Sequence, residues 1–160
     1  MSLDRARAHL KRFQKDQAIL EFEVSSATVA LAAQALGTEP ARIAKTLSFM
    51  GTEGPLLVVC AGDVKVDNPK FKQEFGLKAS MLSPDQARDL VGHEVGGVCP
   101  FGVNEGVAVY LDVSLRRFET VYPACGSSNS CIQLTPEELD TIAAPSKWVD
   151  VCRDAAAVSS

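Results

Sequence analysis

Lys45 lies in the run Arg42-Ile43-Ala44-Lys45-Thr46-Leu47-Ser48-Phe49, after a short helix signal and at the start of an apolar strand. A lysine there buries its stem and holds its ammonium near one point. Position alone makes it a solvated flank residue. Three chemistries compete with that reading. It could form a Schiff base if burial depressed its pKa. It could bind a phosphate as a point charge, or it could stabilise an oxyanion or orient an ester carbonyl. The second group is the loop Gly96-Gly97-Val98-Cys99-Pro100-Phe101-Gly102. Its glycines permit positive φ and close backbone approach, and N–H groups in such a loop can cradle an anion or an oxyanion. It is otherwise a plain tight connection. No Gly-Lys-Ser/Thr follows and the spacing is not GxGxxG, so it is not a nucleotide-binding glycine loop of either kind. A cation at a strand end facing such a loop suits a polarised carbonyl or a phosphate.

The other reactive residues are weaker candidates. Cys99 has His93 six residues away, but no Asn or Asp pattern completes a cysteine–histidine hydrolase. Gly126, Ser127, Ser128, Asn129, Ser130 and Cys131 form a polar turn, or the wall of a pocket for a small polar ligand. Ser25, Ser26 and Thr28 offer hydroxyls whose first reading is helix capping. Lys65, Lys70, Lys72 and Lys78 are close in sequence but diluted by Asp67 and Glu74, as on a solvated face.

These groups must be positioned by a mixture of helices and strands. A helix is expected over 2–15, capped by Ser2, with Leu3, Ala6, Leu10 and Phe13 on one face and Arg5, Arg7, Lys11, Arg12 and Lys15 elsewhere. Alternation in Ile19–Val24 predicts a half-buried strand. Ser25 or Ser26 would then cap a helix that Gly37 ends, and Thr38 would cap a short turn from Pro40. Lys45–Met50 and Pro55–Ala61 predict a hairpin. A helix is expected around Lys70–Phe75, closed by Gly76. Ser83-Pro84-Asp85-Gln86 and Thr135-Pro136-Glu137-Glu138 carry capping-box starts. Further strands are expected at 106–112, near 118–122, at 131–134 and at 148–151, before a frayed tail at 153–160. Hairpins outnumber βαβ units. The fold class is therefore mixed α/β, a single domain with a curved, largely antiparallel mixed sheet and helices packed outside.

Composition sets outer bounds. At 160 residues and 46% hydrophobic, the chain is long and apolar enough for one core, over residues 1–160. No apolar run reaches the roughly 18 residues of a membrane span, and residues 1–5 lack a signal-peptide core; the cytoplasm is the expected location. A net charge of −4 argues against binding a duplex over the whole surface. Five cysteines without CxxC spacing and two histidines make a zinc site or a disulfide framework unexpected.

In this order, Lys45-Thr46-Leu47-x-Phe49, Gly62-Asp63, Gly96–Gly102, Asp112 and the Gly126 loop before Ile132-Gln133-Leu134 resemble the YbaK/EbsC family of aminoacyl-tRNA deacylases. That family is related to the editing domain inserted in bacterial prolyl-tRNA synthetase. The resemblance covers roughly residues 15–152. It implies a curved mixed sheet and hydrolysis of the ester joining a wrong amino acid to the 3′ end of tRNA, with no metal or organic cofactor. Lys45, Gly96 and Gly97 would then be catalytic. Ser25, Ser26, Thr28, Asp63, Lys65, Val98, Cys99, Pro100, Phe101, Gly102, Gly126, Ser127, Asn129 and Cys131 would bind substrate. The wall at Asn129, Ser130 and Cys131 departs from the larger or charged groups of the cysteine- and alanine-specific members. It leaves small side chains (Ala, Ser, Thr or Cys) as candidates and proline rejected. The expected partner is the acceptor end of aminoacyl-tRNA, with a synthetase as a further candidate, no membrane, and a monomer or weak homodimer. A non-catalytic module that binds aminoacyl-tRNA or a nucleotide is the competing reading.

Overall fold

A computed structural model of the chain describes residues 2–155. Its centre is the expected hairpin. Strands β2 (Ile43–Met50) and β3 (Pro55–Ala61) pair antiparallel across the Gly51–Gly54 turn, with Lys45 opposite Cys60. β3 is covered on both faces, which is why its sequence is one unbroken apolar run. β5 (Ala108–Asp112) lies parallel to β3, β8 (Lys147–Val149) parallel to β5, and β6 (Tyr122–Pro123) parallel to β2. The sheet order is β6-β2-β3-β5-β8. Two antiparallel pairs flank it: β1 (Leu20–Glu21) with β7 (Ser130–Cys131), and β4 (Val64–Val66) with β9 (Cys152–Asp154).

A mixed sheet was expected and is found, but the antiparallel emphasis does not hold for the central sheet. Three of its four neighbouring pairs are parallel. Long crossovers cause this: the chain leaves β3, passes through β4 and two helical segments, and re-enters beside β3 as β5.

Helices cover both faces. α1 (Ser2–Lys11) and α5 (Pro136–Ala143) pack Leu10, Leu139 and Ile142 with Leu57, Val59 and Leu111. On the opposite face α3 (Asn68–Phe75) places Phe71 against Phe49, ring centroids 4.8 Å apart, with Val58 and Cys60. α2 (Val29–Leu36) lies over Ile43 and Cys131 through Ala32 and Ala33. Both expected capping boxes form, at Ser83/Gln86 before α4 (Pro84–Gln86) and at Thr135/Glu138 before α5. α4 runs on into a π-helical turn, Ala87–Val91, that Gly92 ends at φ 101°.

Several boundaries move. Thr28, not Ser25 or Ser26, caps α2, accepting from the Leu31 N–H at 3.1 Å. Thr38 does not cap the Pro40–Arg42 turn, where Glu39 takes that place without a side-chain bond. Ser2 lies inside α1 and its hydroxyl donates to the Gly126 carbonyl. α1 stops at Lys11 as the chain turns through Gln14 at φ 60°. Only Leu20 and Glu21 of the expected 19–24 strand pair with another strand. Beyond them the Phe22 N–H donates to Asn129 O at 2.8 Å and the chain follows the 128–129 loop. The strand expected near 118–122 forms only at Tyr122–Pro123, after a single bridge from Val121 to Leu134, and it follows a 3-10 turn over Val113–Arg117. Cys152–Asp154 forms a strand instead of fraying; residues 156–160 of the expected tail, and Met1, lie outside the described residues. Among the described residues no helix is long and apolar enough to cross a membrane.

Candidate active site

One edge of β2 is partly open. At its first residues β6 pairs with Ile43 and Ala44. At its end Ser48 O accepts from Leu82 N–H at 3.0 Å and Met50 N–H donates to Ser80 O at 3.0 Å. Among the described residues, no strand lies along Lys45–Leu47 between these contacts. The gap opens into a cleft of about 250 Å³. Lys45, Thr46 and Ser48 form its sheet side, Ser26, Ala27, Thr28 and Ala32 the α2 side, and Gly96 and Val98 the loop side. Met81 and Val95 stand at the rim, 60% and 64% exposed.

Lys45 is half-buried and its ammonium donates to the Val64 carbonyl on β4. The short Gly62–Asp63 turn after β3 brings that carbonyl back beside β2. The cation is thus fixed at one end of the cleft, as its place at the start of an edge strand allows.

The glycine loop divides into two parts with different tasks. Gly96 faces the cleft at φ 94°, a conformation that favours glycine. Gly97 does not face it. A Cβ at Gly97 would lie 2.5 Å from Gly126 C and Ser127 N, and the Gly97 N–H already donates to Glu94 O at 3.0 Å. Its expected role as an oxyanion donor is therefore not available; its role is close backbone packing. Gly102 and Gly126 are likewise packing positions, pressed on the Arg5 and Ser2 carbonyls of α1. The Gly102 N–H donates to His9 Nδ1 at 2.9 Å, so the neutral ring's Nε2–H donates to Ile142 O at 2.7 Å.

The remaining expected residues separate in the same way. Ser26, Thr28, Val98 and Cys131 reach the cleft with Lys45 and Gly96. Ser25 is exposed and its hydroxyl accepts from the Ala27 N–H at 3.2 Å. Asp63 is forked by Arg117 at 3.1 and 2.5 Å, and that guanidinium, with a smaller pull from Lys45, holds its carboxyl below the ordinary range. Lys65 sits on β4 opposite Arg153. Ser127 and Asn129 are turned into their own loop: the Ser127 hydroxyl donates to Asn129 Oδ1 at 2.9 Å and the Asn129 amide to Phe22 O at 2.8 Å. Cys99, Pro100 and Phe101 are buried. Thr46 and Ser48, quoted in the run around Lys45 but given no role, line the cleft, as do Tyr122, Met81 and Val95, which were not singled out. For Thr46 the available signal was its place beside Lys45. The others depend on which segments close over the β2 edge.

Cys99 and His93 do meet, with Sγ 3.6 Å from Nε2, but not as a nucleophile and base. His93 Nε2 lies 2.6 Å from Phe101 O, and a carbonyl only accepts, so Nε2 carries the proton. Cys99 Sγ also donates to Phe101 O at 3.6 Å. Burial pushes the Cys99 thiol up to about 12 and pulls His93 down, opposite to an activated pair.

Comparison with known proteins shows the family. Residues 23–142, which contain both Lys45 and the glycine loop, match the family described as the aminoacyl-tRNA editing domain. The chain is 53% identical over 156 residues to YwhH, an uncharacterized protein of Bacillus subtilis (strain 168), covering 96% of this chain and 99% of YwhH. It is 31% identical over 94 residues to the proline–tRNA ligase of Bacillus cytotoxicus, a stretch that is 58% of this chain and 16% of the ligase. Among solved structures it resembles a candidate trans-editing enzyme for prolyl tRNA synthetase, with TM-score 0.85, 29% identity, and coverage of 95% and 97% of the two chains. It also resembles the hypothetical protein APE2540, with TM-score 0.79, 25% identity, and coverage of 91% and 99%. With its matched segment spanning most of its length, the chain belongs to the aminoacyl-tRNA editing domain family.

Proposed function

We propose that the chain is a trans-acting aminoacyl-tRNA deacylase that hydrolyses the ester of tRNA mischarged with a small amino acid (Ala, Ser, Thr or Cys). The observation that carries this reading is the cleft itself: a fixed lysine ammonium on one side, the Gly96 loop on the other, and small residues such as Ala27, Ala32 and Ala44 between them. Water adds to the ester carbonyl, the carbonyl oxygen becomes an oxyanion, and the bond to the ribose oxygen breaks. That oxygen takes a proton, leaving free amino acid and free tRNA. An aminoacyl ester is already reactive, so positioning and oxyanion stabilisation are the main requirements. Lys45 supplies charge, and the Gly96 and Val98 N–H groups are the candidate donors. The net charge of −4 gives little general attraction for tRNA, which favours a synthetase partner that presents the mischarged end.

The test is deacylation of several tRNAs charged with Ala, Ser, Thr or Cys, with Lys45→Ala in parallel. Multiple turnover on at least one substrate, lowered at least about 100-fold in Lys45→Ala, is expected. Binding without turnover on every member of the panel overturns the deacylase and favours the non-catalytic binding module.

A further inference from the structure

The open edge of β2 leaves one residue with unmet hydrogen-bonding capacity. Residues along a strand alternate the direction of their backbone groups. Ser48 O and Met50 N–H point away from β3, to the 80–82 segment, so Thr46, two residues before Ser48, points its N–H and C=O the same way. There it meets the gap instead of a strand. The Thr46 hydroxyl is also buried, with no hydrogen-bond partner among the described residues. Leaving such a group unpaired is costly, and the cost is recovered when a ligand supplies the partner. Two further hydroxyls, on Ser26 and Ser48, line the same cleft at 6% and 7% exposure, among the apolar Ile43, Leu82 and Ala87.

We propose that Thr46 is a specificity-determining residue of this cleft: its hydroxyl pairs with a hydroxyl on the esterified amino acid, making serine- and threonine-charged ends preferred over alanine-charged ones. The assignment rests on the deacylase reading above. The Thr46 carbonyl, in the plane of the sheet, serves the α-ammonium group that all aminoacyl esters share. The side-chain hydroxyl is left to read what differs among them. An alanyl group fills the same space but leaves Thr46 Oγ1 unpaired, and a site built to bond a substrate hydroxyl discriminates against the analogue that lacks it.

Binding is read by calorimetry with two non-hydrolysable probes, 3′-seryl-amino-3′-deoxyadenosine and its alanyl counterpart. The unmodified protein is expected to bind the seryl probe about 10-fold more tightly, the size of one neutral hydrogen bond. Thr46→Val, similar in volume, is expected to bring the ratio within about twofold while alanyl binding persists. Thr46→Ser is expected to restore the preference. No preference in the unmodified protein, or a ratio untouched by Thr46→Val, overturns the assignment. Equal weakening of both probes also overturns it, since that puts Thr46 against the shared ammonium. Turnover of seryl- and alanyl-tRNA is measured on the same proteins. Turnover without the binding preference keeps the deacylase and removes Thr46 from specificity; the preference without turnover does the reverse.

Discussion

Cys99 shows how surroundings decide the chemistry of a single residue. By type it is the strongest nucleophile in the glycine loop, and a histidine touches it. Yet both donate toward the Phe101 carbonyl, and burial keeps the thiol protonated. Cys99→Ala should therefore leave deacylation within about threefold of the unmodified protein, while unfolding in urea shows a loss of about 1–2 kcal/mol for the emptied space. An activity loss comparable to that of Lys45→Ala would return Cys99 to the reaction. Lys45 was legible in the sequence only beside the glycine loop and the family motif, since position alone makes it a solvated flank residue. Thr46 was not, since strand alternation sets it on the opposite face from Lys45. The two share a cleft only because the sheet edge is open between β6 and the 80–82 segment, and sequence does not record where a neighbouring strand ends.

Glycines separate the elements that shape the site from those that merely end a helix. Gly97 packs its backbone onto Gly126 and Ser127, and a methyl group there meets backbone that cannot turn aside. Gly76 ends α3 at φ 77° with open space around its Cβ position. Gly76→Ala should cost about 1 kcal/mol of stability and leave turnover intact. Gly97→Ala should cost more and also lower turnover, because it separates the Gly96 loop from the 126–130 loop. Thermal melts and steady-state kinetics on the pair check this, and equal effects on activity would contradict it. The glycine-ended helices, the capping boxes and the central hairpin were readable in the residues, since each is fixed by local geometry, whereas the end of α1 at Lys11 was not. Which hydroxyl caps α2 was not, because Ser25, Ser26 and Thr28 satisfy the same local rule. The Ser128 carbonyl holds the Ser26 N–H at 2.6 Å and so decides where the helix begins. Parallel pairing also escaped the sequence, because β3 presents the same apolar run to a neighbour in either direction.

For the whole molecule, acid sensitivity follows from its two histidines. Burial is the main cause that lowers both His9 and His93 from the ordinary 6.5. The unfolded chain takes up protons near pH 6.5, whereas the folded chain resists until lower pH. Stability is thus fully present above about pH 6.5 and falls as pH drops below it. Asp63 and Glu138, held low chiefly by Arg117 and Lys15, withdraw their contributions only in the lower carboxylate range. Urea midpoints should therefore be flat from pH 8 to 7 and decline from 6.5 to 5. Both histidine ring signals in proton NMR should titrate below 6.5; a titration above that value contradicts the account. α1 braces the site from outside the family pattern. It lies before residue 23, outside the matched family segment, and yet Ser2 and Arg5 wedge against Gly126 and Gly102 while His9 bonds the latter. Both loops that wall the cleft are thus braced by a helix that carries none of the motif residues. A transplant of the recognisable segment alone would carry every signature residue and leave its scaffolding behind, so the heritable unit of this site is wider than the pattern by which it is found.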